Sequence, residues 1–87
     1  MLQLFAITLQ DFYKNYGKPM WYKNGQQVGI KCKFGADKGK QVITFGGKTC
    51  GKSKDDLMDL GNQCIKKLND GMELAEALAW VKDQAKQ

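Results

Sequence analysis

The sequence predicts an α+β domain, a three-stranded antiparallel meander packed against helices in the order (β)αβββαα. Val28, Ile30, Cys32 and Phe34 alternate with Gly29, Lys31 and Lys33, the period-two pattern of a strand with one buried and one basic face. Asn24-Gly25 stands between two extended segments, a strong short-range hairpin signal because both residue types tolerate positive φ. Beyond Gly46-Gly47 the apolar spacing becomes helical. At 87 residues the chain suits a single small domain, 1–87, around one core.

Met1–Ile7 alternates loosely and reads as a short strand. Thr8 with Asp11 resembles a capping box, and Leu9, Phe12, Tyr13 and Tyr16 follow at helical spacing until Gly17 and Pro19 stop the helix. Such an aromatic stripe is expected to pack on the sheet rather than form an exposed patch. The meander follows as Met20–Lys23, Gln26–Phe34 and Gln41–Phe45, with Gly35–Gly39 as its second turn. Placing Cys32 opposite Ile43 sets Ile30 against Phe45 and leaves Lys31, Lys33 and Thr44 on the outer face. Ser53 with Asp56 caps a helix whose inner face is Leu57, Leu60, Gly61, Cys64 and Leu68. Asn69-Asp70-Gly71 breaks the chain. Asp70 with Glu73 caps a last helix that carries Leu74, Ala77, Leu78 and Val81, with Trp80 beside them. That helix is expected to close the core; the other reading is an acidic partner face built on Asp70, Glu73, Glu76 and Asp83.

Composition removes several chemistries. All 14 basic residues are lysine and there is no histidine, so Ser-His-Asp and Cys-His catalysis and the commonest metal ligand are absent from the chain. Without arginine there is no planar fork to grip carboxylate or read guanine. Three cysteines without a CxxC pair fall short of a zinc site and read as buried, reduced thiols. A Cys32–Cys50 disulfide would need the two strands in register there. No cofactor, metal or enzymatic activity is expected. Cys50, between Lys48 and Lys52, is the one candidate nucleophile. The apolar start carries no lysine before Lys14, and no apolar run has the length of a membrane span, so a soluble cytoplasmic protein without a membrane partner is expected.

Residues 46–53, Gly-Gly-Lys-Thr-Cys-Gly-Lys-Ser, fit the GxxxxGK[ST] phosphate loop. That loop works in a parallel sheet with a later acidic strand end, whereas here it leaves a meander. Asp55 and Asp56 also follow it in the first helical turn, where they would repel phosphate. A basic strand-to-helix loop is the better reading.

The net charge of +5 is uneven: residues 14–54 carry ten Lys against Asp37 alone, whereas 55–87 carry four Lys against seven acids. In a meander the Asn24-Gly25 turn and the exit of the third strand share one end of the sheet. Lys23, Lys48, Lys52 and Lys54 gather there, with Lys38 and Lys40 about 20 Å away at a strand's rise per residue. Lys31 and Lys33 lie between on the outer face, joined by Tyr22, which pairs near Gln27. Amines interleaved with an aromatic form the footprint of phosphate-backbone contact.

Residues 9–68 resemble the double-stranded RNA-binding domain in element order and length. Gly17-Lys18-Pro19-Met20-Trp21-Tyr22 looks like that family's Pro-x-x-Tyr lead into the first strand, and Gly51-Lys52-Ser53-Lys54 looks like its Gly-x-Ser-Lys helix start. The resemblance implies that Lys52 and Lys54 hold phosphates across a groove. The chain departs from the family at Asp55 and Met58, where lysines are usual, at its short first hairpin, and at Gly61-Asn62, where paired alanines are usual.

The function expected is a basic nucleic-acid-binding protein that grips duplex RNA or DNA backbone by shape and charge, with little base reading. The alternative is a non-enzymatic inhibitor or adaptor docking on an acidic protein surface, such as a phage or mobile-element product aimed at a host protein.

Overall fold

The structure is a computed structural model that describes residues 12–48 and 50–86. The expected strand Met1–Ile7 and the Thr8–Asp11 cap lie outside the described residues. The fold is α+β: strands β1 (Met20–Tyr22), β2 (Gln27–Lys31) and β3 (Gln41–Gly46), then helices α1 (Lys54–Asn69) and α2 (Leu74–Lys86). The sheet is an antiparallel meander in the order β1-β2-β3. Val28, Ile30, Ile43 and Phe45 are buried against Leu57, Cys64 and Ile65 of α1 and Ala77, Val81 and Ala85 of α2.

The β2–β3 register differs from the expected one by two residues. Ile30 pairs with Ile43 and Val28 with Phe45, and a bulge between Ile30 and Lys31 then sets Lys31 opposite Gln41. Cys32 exchanges backbone hydrogen bonds with Gly39 and Lys40 and bridges to Tyr16, not to Ile43. A shift of two preserves which side chains face inward, so the buried set stands as the alternation predicted. Past the bulge it does not. Phe34 leaves the strand, precedes the 3-10 turn Gly35–Asp37, and is half exposed rather than buried.

The first hairpin forms for a different reason from the one expected. Its loop spans Lys23–Gln26, closed by the Gln26 N–H donating to the Lys23 carbonyl at 3.3 Å. The non-glycine residue with positive φ among those described is Gln26, at 51°, so the left-handed position follows Asn24-Gly25. Tyr16 also corrects the sequence reading: the chain has left any helix by then, and Tyr16 lies extended, buried and bridged to Cys32.

Helix α1 starts as its signature predicts, with the Asp56 N–H donating to Ser53 Oγ at 3.1 Å. It ends in a Schellman motif: the Gly71 N–H bonds the Leu68 carbonyl and the Met72 N–H bonds that of Lys67, while Gly71 takes φ 108°. Asp70 is therefore the C-cap of α1, with its carboxylate 3.1 Å from Lys66 Nζ, and does not cap α2. Trp80 of α2 faces α1, where Lys67 Nζ sits 4.5 Å from its ring centroid.

Gly61 is buried where α1 crosses the lead into β1. A Cβ there would stand 2.9 Å from two atoms of the Pro19 ring. On the next residue, Asn62 Oδ1 accepts the Tyr13 hydroxyl at 2.6 Å, and about two turns further on Asn69 Nδ2 donates to the Phe12 carbonyl at 2.8 Å. Residues 12–19 are thus clamped on α1 at three points, and Phe12 and Tyr13 are partly buried against the core.

Candidate nucleic-acid interface

The lysines of the basic half fall into two sets at opposite ends of the sheet. The first forms because residues 13–17 run beside the end of β2. The Gly17 N–H donates to the Lys31 carbonyl at 2.9 Å, and the Lys33 N–H to the Asn15 carbonyl at 2.8 Å. This brings Lys14 and Lys18 alongside Lys31, Lys33 and Lys38 around one open depression of about 560 Å³, floored by Gly17, Met20, Cys32 and Gly39. All five ammonium side chains are exposed, and among the described residues no carboxylate lines the depression. Two of them are held: Lys33 Nζ donates to the Tyr13 carbonyl at 3.1 Å, and Lys18 Nζ lies 5.9 Å from the Tyr13 ring centroid. Tyr13 is itself fixed by Asn62, so α1 braces the groove from behind.

Close ammonium groups repel one another, and water and salt at a Debye length of about 8–10 Å relieve only part of that cost. The groove is lined by five exposed ammonium side chains, so its local potential is positive. Lys14 and Lys18 were absent from the sites expected from sequence. Their signal is the pairing of Tyr16 with Cys32, a contact between distant stretches that no local pattern announces.

The remaining expected residues separate. The Gly47 N–H donates to the Gln26 carbonyl, so the hairpin loop with Lys23 and the exit loop with Lys48 meet at the far end of the sheet, both lysines exposed. Lys54 is the first residue of α1 and is exposed beside Asp55 and Asp56. Lys52 is half buried in a separate hollow with Asp56, Asp59 and Gln84, so it faces carboxylates rather than the sheet end. Lys40 stands 4.0 Å from Asp37 across an exposed turn. Tyr22 is on the outer face as expected, half buried, with its ring and the Gln41 side chain closing over Gly29; Gln41 is held there by a hydrogen bond to Thr44 Oγ1.

The cysteines are free thiols. Cys32 donates to the Phe34 carbonyl at 3.2 Å, while Cys50 lies beyond β3 at the other end of the sheet, out of register for a disulfide. Cys50 Sγ accepts the Lys52 N–H at 3.5 Å and lines a hollow of about 520 Å³ with Lys82 and Lys86. Cys64 is fully buried, and burial pushes its thiol up to about 11 against the smaller opposing pull of Lys67. Burial likewise raises the Tyr16 hydroxyl, with Cys32 and Cys64 adding to the shift. The GxxxxGKS segment follows a strand of an antiparallel sheet, the context in which that loop does not operate. No helix among the described residues is long and apolar enough to cross a membrane.

No known protein family, no curated protein and no solved structure matches this chain.

Proposed function

We propose that the chain is a small, non-enzymatic nucleic-acid-binding module that grips the phosphate backbone of RNA or DNA through lysines. The observation that carries this reading is the groove of Lys14, Lys18, Lys31, Lys33 and Lys38 with no carboxylate in its lining among the described residues. Lysine acts as a point charge with three donors and lacks the fork that reads base edges, which favours binding with little sequence preference. Lys23 and Lys48 meet at the far end of the sheet, while the resemblance to the double-stranded RNA-binding domain implies phosphate contacts at Lys52 and Lys54, at the helix start.

Fluorescence-anisotropy titration of labelled oligonucleotides across a range of salt concentrations tests the proposal. Engaging five phosphates gives a log affinity against log salt slope of about −4.5 on duplex DNA and about −3.5 on a single strand. A flat response removes the reading. Recovery of one protein at fixed stoichiometry from nuclease-treated lysate would favour the inhibitor or adaptor instead.

A further inference from the structure

We propose that the lysine groove takes single-stranded nucleic acid, with an unpaired base stacked on Phe34. This rests on the nucleic-acid reading above and names the form of ligand that the groove suits.

The two large apolar side chains most exposed among the described residues are Phe34, at 50%, and Met20, at 46%; Met20 lines this groove, and Phe34 is the next residue in the chain after Lys33, which also lines it. The Phe34 ring meets Tyr16 edge to face, with centroids 5.8 Å apart and planes at 83°, an arrangement that leaves at least one face of Phe34 free of Tyr16. Tyr16 is buried and bridged to Cys32, and Cys32 Sγ donates to the Phe34 carbonyl, so Phe34 is held at its backbone and by its ring contact with Tyr16. A fixed aromatic face beside ammonium groups is the arrangement on which single strands stack, because every base offers a π-face while its phosphates find the amines. A continuous duplex hides those faces within its own stack and offers Phe34 nothing to cover it.

The test uses a labelled strand of about 12 nucleotides, within the range one small groove occupies, its duplex, and the same strand with abasic residues. The wild-type protein should bind the single strand more tightly than the duplex. Phe34→Ala should weaken single-strand binding about 5- to 100-fold, the range for loss of one stacked base, leave duplex binding within about twofold, and leave the salt slope unchanged, whereas Phe34→Trp should restore the loss. The abasic strand keeps every phosphate and should reproduce the loss with unaltered protein, so this arm does not depend on how the variant folds. Equal binding of intact and abasic strands, or an equal loss on strand and duplex, overturns the stacking proposal. If the steep salt slope persists in that case, the lysine reading stands without it. If no form of nucleic acid shows salt-dependent binding, both fall.

Discussion

Gly61→Ala sets two known effects against each other at one atom. Alanine is favoured over glycine in a helix interior by about 1 kcal/mol, so the substitution should stabilise α1 if nothing opposed it. The added methyl, however, would stand 2.9 Å from Pro19 Cβ and Cγ and 3.3 Å from Val28 Cγ1. Carbon atoms prefer about 3.5–4.0 Å, so the helix and the lead into β1 must part by more than half an ångström. Pro19 is a buried ring rather than a flexible tip, and Gly61 is buried with it, so the strain has no cheap outlet. Overpacking of this kind costs about 1–3 kcal/mol, which leaves a net loss of up to about 2 kcal/mol. At this chain length each kcal/mol lowers the melting temperature by about 4–8 °C. Thermal and urea unfolding followed by circular dichroism read the change directly. The paired variant Pro19→Gly removes both crowding atoms, and in that background Gly61→Ala should become stabilising. A Gly61→Ala protein about 1 kcal/mol more stable than the parent, or an equal change in both backgrounds, refutes the contact as the cause.

Further outcomes follow from other parts of the molecule. The Cys64 thiol is raised from an ordinary 9.0 to about 11, so above pH 9 the unfolded chain loses its proton first. Stability should therefore be flat in this term below pH 8 and fall by about 2–3 kcal/mol between pH 9 and 11; denaturant midpoints across that range should show it, and Cys64→Ala should remove this term, leaving the fall that the raised Tyr16 hydroxyl adds from about pH 10. Asn62→Leu removes the acceptor of the Tyr13 hydroxyl, and Tyr13→Phe removes the donor. Each should shallow the salt slope by about 1–2 as Lys14 and Lys18 lose their bracing, with every lysine intact. Gln26 holds a left-handed φ of 51°. Relief of that strain, offset by glycine's greater freedom when unfolded, should make Gln26→Gly more stable by about 0.5–1 kcal/mol in a melting experiment.

The inward face of the sheet, and Leu57, Gly61, Cys64, Ala77 and Val81 of the helices, were legible because they depend on period alone; the buried Ile65 and Ala85 were not among the residues expected. Val28, Ile30, Ile43 and Phe45 are buried under either register, since a shift of two leaves parity intact. Ser53 announced its helix because capping is a local bond over three residues. Asp70 misled for the same reason, as it lies near both the end of one helix and the start of the next, and only the Gly71 turn assigns it to the first. The bulge at Ile30 and Lys31 has no marker in side-chain chemistry, and its effect is to eject Phe34 from the strand. The uneven charge was visible, but its division was not: Lys52 turns toward Asp56 and Asp59, while Lys14 and Lys18 join through a long-range bridge.

The departures at Gly61 and Asn62 from the pattern the chain resembles both fall where α1 receives residues 12–19. A helix with paired alanines there would have no socket for the proline ring and no hook for the phenol. The strip carrying two of the groove's cations would then be moored by Asn69 at the Phe12 carbonyl and by its flank to β2. A mutational scan confined to lysines would therefore undercount the determinants of this surface, because part of its geometry is set by Gly61 and Asn62 on the helix behind it.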